Sequence, residues 1–388
     1  MPDSHSNVLH VVAGDTSPAR LERLRVLYAR PELARQRVVQ LGSGTIDCAG
    51  LGKVEHLSAP FGVGRLATDR LRTMVPAAER TILHIWSAKA LSWVMPTAGI
   101  GKRYGAAAGR IRDHLLMDVE VPFDFRRLAR AISRLRSDAG PAFVCTTHTR
   151  RRRLVAAGVP ADNCVVIRDS VELTPIDAAR RSDVRARLDV SPEHTTVLVL
   201  PPVLRETGAF VAAWATMLLA QVRPSVRLVV PEAGPEVDRV ARLVESCRHQ
   251  WMLRLTGGHY GPDELVAAAD FAVYLPAGDA ALSGVVWAMA AGRPIVASAV
   301  PATTELLTDG QNAWLCRPES PKDAARRLLQ ALESQDQSQR QAELGRSQVF
   351  QICDRRRMIE QYRRAYQNLL ADRCIAHGIE DAVLMPCD

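Results

Sequence analysis

The reading of the stretch at residues 285–305, VVWAMAAGRPIVASAVPATTE, decides the fold, and its part Val285–Ala302 is the most apolar window of the chain. Arg293 and Pro294 interrupt it and turn residues flank it, so it reads as buried core. A membrane span would need about 20 largely uninterrupted apolar residues. Leu282, Ser283 and Gly284 form the turn into a helix, and Pro294–Ala297 is a strand that follows it.

The same alternation continues outward. Short β-branched apolar runs are separated by longer amphipathic stretches, the pattern of parallel strands joined by helices. In the second half, strands are predicted near Thr196–Leu200, Val226–Val230, Met252–Leu255, Phe271–Leu275, Pro294–Ala297 and Trp314–Cys316. In the first half they fall near Val8–Ala13, Arg37–Leu41, Thr81–Ile85, Ala142–Thr146 and Cys164–Ile167. The fold class is therefore α/β: two Rossmann-like, doubly wound parallel-sheet domains facing a cleft, where such sheets bind ligands at the carboxyl ends of their strands. A chain of 388 residues suits two such domains.

Strand character is lost around Ser170–Arg187, which sets the expected limits at 1–175, 176–353 and a C-terminal segment 354–388. In that segment Met358, Tyr362, Tyr366, Leu369 and Leu370 share one helical face, so a helix is expected to dock back on the first domain, followed by an acidic tail.

MPDSHSN at the start lacks the basic-then-apolar run of a secretory signal, which points to the cytoplasm. The eight cysteines form no Cys-x-x-Cys pair and no zinc spacing, so they read as reduced structural thiols and no metal is expected. The formal charge is +8, and arginine is concentrated in the first half, above all at Arg126–Arg136 and Arg150–Arg153. Such a face either rests peripherally on anionic lipid or is simply solvated. Aromatic residues are 5% of the chain, too few for a base-stacking platform, and nucleic acid is not expected.

Several segments, in order, resemble the two-domain GT-B glycosyltransferases and most closely their family-4 (group 1) members. They are AFVCTTHTRRRRLVAAGVPADNCVVIRDSVEL at 142–173, VRARLDVSPEHTTVLVLPPVLRETGAF at 184–210, ELVAAADFAVYLPAGD at 264–279, and AMAAGRPIVAS at 288–298 with Glu305 and DGQNAWLCRPES. The resemblance implies transfer of a sugar, of the hexosyltransferase type, from a nucleotide-sugar donor to an acceptor hydroxyl, retaining and metal-independent. The donor is a substrate, so no cofactor is implied.

In that family an Arg and a Lys after the first strand of the second domain neutralise the leaving diphosphate, with helix N-terminal N–H groups assisting. Here Pro202 and Thr207 occupy those two positions; Arg205 lies in the same loop, either turned to a phosphate or exposed to solvent. The family's pair of glutamates, which hold donor hydroxyls, falls on Asp279 and Trp287. Asp279 keeps a carboxylate; an indole accepts no hydrogen bond. Ser283 and Gly284 offer backbone N–H groups to phosphate. Glu305 matches a glutamate beside the nucleotide, or else serves as a helix-start carboxylate with Thr303 or Thr304 as cap. Gly258, with Gly257 and His259, would border the base. His84, at a strand's carboxyl end, is either a catalytic histidine near a sugar or a structural one, and His148 is a second candidate on the same terms. Gly14 and Asp15 close the first strand. Two functions follow: an active transferase using Asp279, His84 and Arg205, or a non-catalytic relative that kept the fold as a binding or partner subunit.

Overall fold

The structure, a computed structural model, describes residues 7–14, 16–42, 46–57, 70–71, 73–74, 80–87, 89–91, 94, 115–119, 141–171, 178–231, 234–257 and 260–379. The chain divides into two compact units, Met1–Arg168 with Arg356–Asp381, and Asp169–Arg355.

The first unit holds a seven-stranded sheet of β1 (Asn7–Ala13), β2 (Arg35–Leu41), β3 (Val54–Leu57), β4 (Thr81–Ile85), β5 (Leu115–Val119), β6 (Ala142–Cys145) and β7 (Cys164–Val166). The order is β3-β2-β1-β4-β5-β6-β7 and every pairing is parallel. Among its helices are α1 (Pro18–Tyr28), capped by the Ser17 side chain with Pro18 at its first position, and α2 (His148–Ala156), capped by Thr147. β3 and β5 escape the periodicity reading. β3 is a four-residue edge strand whose first three residues are at least partly exposed, and in β5 a lone aspartate interrupts an apolar run.

The second unit begins with α3 (Ala178–Arg187) and builds a six-stranded sheet from β8 (Thr195–Val199), β9 (Val226–Val230), β10 (Leu253–Leu255), β11 (Phe271–Tyr274), β12 (Ile295–Ser298) and β13 (Trp314–Cys316). Its order is β10-β9-β8-β11-β12-β13, again all parallel. The described helices between and after these strands are α4 (Ala209–Ala220), α5 (Val237–Ser246), α6 (Pro262–Ala268), α7 (Ser283–Ala290), α8 (Pro321–Glu333) and α9 (Gln335–Ile352). The strands of this sheet other than the edge strand β10 are largely buried between helices, as near-continuous runs such as VLVL and FAVY require, whereas β10 is only partly covered and leaves Leu255 exposed. α10 (Arg355–Leu370) then returns to the first unit, where Met358, Tyr362, Tyr366 and Leu369 join the core formed by β1, β4, β5 and α1.

Candidate functional site

The carboxyl ends of β8 and β11 hold the residues that the sequence marks in the second unit. β8 runs into the loop Leu200–Gly208, which closes on itself. Thr207 is 3% exposed; its Oγ1 accepts from the Leu204 N–H at 3.0 Å and lies 2.8 Å and 2.9 Å from the carbonyls of Pro202 and Leu204, either of which its proton can serve. The hydroxyl therefore staples the loop and presents no charge.

Three glycines let backbone approach backbone around this loop. A Cβ on Gly208, at φ +76°, would lie 1.8 Å from the Leu275 carbonyl oxygen; on Gly234, at φ +148°, it would lie 2.1 Å from that of Val203. On Gly284 it would lie 2.7 Å from the Pro201 oxygen. Only glycine fits such contacts. Gly208 caps α4 and Gly284 lies in the first turn of α7, so both helices start against the same loop. In α7 the first bond, Val286 N–H to Leu282 O, comes after the N–H groups of Ser283, Gly284 and Val285, and Leu282 supplies no side-chain cap. Such unsatisfied donors carry the positive end of the helix dipole.

Around this frame Arg205 is exposed, and its guanidinium makes no hydrogen bond or ion pair with other described residues. Asp279 is half-buried in the loop between β11 and α7, and Trp287 is half-buried against the core in the second turn of α7. Glu305 is half-buried at the end of a single 3-10 turn, Thr303–Glu305, in which Thr303 Oγ1 accepts from the Val300 N–H at 3.1 Å. The structure thus brings together Ser283, Gly284 and the loop carrying Pro202, Arg205 and Thr207. Gly258, His259 and Asp15 lie outside the described residues; Gly14 is exposed after β1.

His84 sits elsewhere, inside the first unit. β-strand parity explains it: His10, His84 and Asp118 project from β1, β4 and β5 to the face covered by α1 and α10, and His10 pairs in register with His84. His84 is 0% exposed, with Nε2 2.7 Å from Asp118 Oδ2 and Nδ1 2.9 Å from the Tyr366 hydroxyl. Both ring nitrogens are committed in the interior, which corrects the expectation of a catalytic histidine facing a sugar; the structural alternative describes its position. Asp118 also accepts from Arg23 at 2.9 Å and from the Tyr362 hydroxyl at 2.9 Å. The Trp86 indole donates to His10 Nδ1 at 3.0 Å, and His10 Nε2 reaches Gln36 Oε1 at 2.9 Å.

Burial pushes the Asp118 carboxyl up, but the His84 hydrogen bond and the Arg23 guanidinium outweigh it and leave the group below its ordinary range. Burial lowers both histidines, His10 to about 3, with the neighbouring His84 adding to the effect there. The consistent state is a neutral His84 donating to a carboxylate, with the Arg23 charge compensated. Asp118, Arg23 and His10 were not singled out from the sequence. The readable signal was a single carboxylate within LLMDV, because a carboxylate in a buried strand demands a partner.

The cationic face expected at Arg150–Arg153 is smaller than its sequence. Arg150 is 0% exposed and donates to the Val119 carbonyl and Thr146 Oγ1, while Arg151 donates to the Cys164 and Ala161 carbonyls. Arg152 and Arg153 remain exposed; Arg126–Arg136 lie outside the described residues. His148 is half-buried in the first turn of α2. Among the described residues no three His, Cys, Asp or Glu side chains gather as a metal site, and no helix is long and apolar enough to cross a membrane.

Two parallel-sheet α/β units of this kind define the GT-B fold of glycosyltransferases. Anabaena HepE, solved with UDP and glucose, aligns with a TM-score of 0.76 at 18% identity, covering 92% of this chain and 98% of that one. Sucrose-phosphate synthase of Thermosynechococcus elongatus aligns with a TM-score of 0.72 at 15% identity, covering 94% and 99%. Residues 182–348, all within the second unit, match the family described as glycosyl transferases group 1. N-acetyl-alpha-D-glucosaminyl L-malate synthase of Bacillus anthracis is 23% identical over 146 residues, which are 38% of this chain and 38% of that protein.

Proposed function

We propose that the chain is a glycosyltransferase that moves a sugar from a nucleotide-sugar donor to an acceptor hydroxyl, with retention of configuration and without a required metal. The observation that carries this reading is the glycine frame at Gly208, Gly234 and Gly284. It lies within the group 1 match and turns the uncapped start of α7 toward the loop where that family handles the leaving diphosphate. In this reading the N–H groups of Ser283, Gly284 and Val285 face the phosphates and Arg205 supplies the mobile cation. Asp279 holds a sugar hydroxyl, and Glu305 and Gly258 border the nucleotide. Backbone donors keep this role whatever side chains surround them.

A second reading has its own support. Pro202 and Thr207 carry no charge, and Thr207 is closed on its own loop. Removing one preorganised charge stabiliser commonly costs about 10²–10³ in rate. A non-catalytic relative that binds a ligand or partner would tolerate that loss. Calorimetric titration with UDP-, GDP- and ADP-sugars separates the two: saturable binding with slow donor hydrolysis supports the transferase, and absence of binding to every donor rejects it. We also propose that the chain is cytoplasmic and touches anionic lipid through Arg152, Arg153 and Arg126–Arg136. Co-sedimentation with anionic vesicles tests this, and no binding at low salt rejects it.

A further inference from the structure

The amino ends of β11 and β12 lie at the other end of the second sheet from the Leu200–Gly208 loop, and arginine gathers there. Asp270 immediately precedes β11. The parallel register that pairs Ala272 with Ile295 runs back to set Arg293 beside Asp270. α3 brings Arg181 and Arg185, about one turn apart, to the same carboxylate. Arg181 donates to Asp270 Oδ1 at 2.8 Å and Arg185 to Oδ2 at 3.0 Å, while the Thr196 N–H and hydroxyl each donate to Oδ2 at 2.9 Å. These donors occupy Asp270, and Arg293 is not among them. From α9 the stem of Arg346 passes over Gly292, its Cδ 3.5 Å from the place of a Cβ on that glycine.

Arg293 is half-buried, its Nε is shielded from water without an acceptor, and its guanidinium makes no hydrogen bond or ion pair with other described residues. Arg227 and Arg327 also bury an Nε, but they spend their terminal N–H groups on the Pro224 and Val226 carbonyls and on Asp309. The Arg181 Nε is a second shielded donor without an acceptor, and the exposed Arg346 makes no ion pair with other described residues. The remaining arginines of α3 are balanced, Arg180 by Asp183 and Glu264, and Arg187 by Asp183. Arg181, Arg185, Arg293 and Arg346 thus lie around one carboxylate. Burial, and next the charge of Arg181, hold the Arg293 guanidinium below its ordinary range; Asp270 opposes and Arg185 adds to the effect. An anion at this place relieves both costs. We infer that Arg181, Arg293 and Arg346 form a binding site for a free phosphate ion. A phosphate dianion offers acceptors only, offsets most of the excess charge, and presents oxygens in tetrahedral directions, so it can accept from guanidiniums that arrive on α3, the Gly292–Pro294 turn and α9. A half-buried guanidinium is within reach of a small ion but not of the flat face of a bilayer.

Calorimetric titration of the full chain with inorganic phosphate at low ionic strength tests the inference, with saturable binding and a dissociation constant below about 1 mM expected. Arg293→Gln and Arg346→Gln should each weaken that binding by about tenfold or more, because each removes a charge-assisted hydrogen bond. Arg152→Gln, which removes an exposed charge from the first unit, should leave it unchanged. Arg346→Gln, at an exposed position, gives an independent reading should Arg293→Gln fail to fold, and circular dichroism monitors the fold of all three. Absence of phosphate binding by the unaltered chain overturns the inference, as does an affinity that both folded variants at 293 and 346 retain, or that Arg152→Gln lowers as much as they do. Binding that both retain and Arg205→Ala loses also overturns it, by assigning the ion to the Leu200–Gly208 loop. Flotation with phosphatidic acid vesicles that depends on Arg346, without heat from free phosphate, overturns it as well.

Discussion

Replacing Asp118 by alanine removes the hub of the first unit's interior. The side chains of Asp118 and Arg23 are 3% and 4% exposed, so the substitution leaves a guanidinium buried without its carboxylate. Breaking such a pair from one side costs about 3–5 kcal/mol. The His84 N–H also loses its acceptor, at about 1–3 kcal/mol. Arg23 retains the Tyr362 hydroxyl at 2.9 Å and reaches the Ile167 carbonyl at 3.4 Å, so the two costs overlap and a total of about 4–6 kcal/mol is expected. Against typical stabilities of about 5–15 kcal/mol this is enough to leave the unit marginal. Asp118→Asn keeps the shape and one acceptor oxygen and should lose less, about 3 kcal/mol. Urea unfolding at neutral pH, followed by far-ultraviolet circular dichroism and by the fluorescence of buried Trp86, provides the assay. Two units permit two transitions, and the one reported by Trp86 should move. A loss under about 1 kcal/mol for the alanine variant would refute the claim that this carboxylate is ionised and holds the network together.

The same network makes the first unit acid-labile above the usual carboxylate range. Folded His10 and His84 have lowered pKa values, so below about pH 6.5 the unfolded chain binds protons that the native state refuses. The stability is fully present above pH 6.5 and is lost toward His10's value of about 3, at up to about 1.4 kcal/mol per pH unit for each histidine. Urea midpoints that stay flat from pH 7.5 to 5 would contradict this. In the second unit, Gly208→Ala meets both a left-handed backbone and the Leu275 carbonyl and should cost about 3 kcal/mol or more, whereas Gly310→Ala, at the same φ with open space around it, should cost about 1–2. Equal melting temperatures for the two variants would remove the close-approach argument. Thr207→Val deprives the Leu204 N–H of its acceptor and should lower stability by about 1–2 kcal/mol; no change in chemical unfolding would mean that the loop does not depend on the staple. Arg205→Ala should weaken nucleoside diphosphate binding about tenfold or more, and an unchanged affinity in calorimetry would remove Arg205 from the site.

The parts of the fold that sequence made legible are those where burial sets the pattern. Strand β11 is apolar along its length and β8 is β-branched or apolar throughout, and both are bounded by turns, so the pattern places them to within about a residue. β3 gave no such signal, because an edge strand carries Glu55 and His56 toward solvent. β5 was hidden for the opposite reason: Asp118 looks polar in the sequence and becomes tolerable only through Arg23, Tyr362 and His84, which are separated from it by 95, 244 and 34 positions. That distance in sequence also explains His84. A histidine at the end of a strand is compatible with a cleft or a core, and the deciding partners, Asp118 and Tyr366, lie on elements that only the fold brings near. In the second unit, Ser283 and Gly284 were readable because a turn before an apolar helix is a local feature. The roles of Gly208 and Gly234 rest on contacts with Leu275 and Val203, which no local pattern reveals.

The central claim is that a loop without the family's two cations still binds a nucleotide-sugar, through the backbone at Ser283–Val285 and the Arg205 side chain. Its most direct test is single-turnover release of nucleoside diphosphate from a panel of UDP-, GDP- and ADP-sugars incubated with excess protein. Release from one donor class, slowed in Arg205→Ala, is the expected result. No release and no calorimetric binding with any donor would contradict the claim and leave the non-catalytic reading in its place.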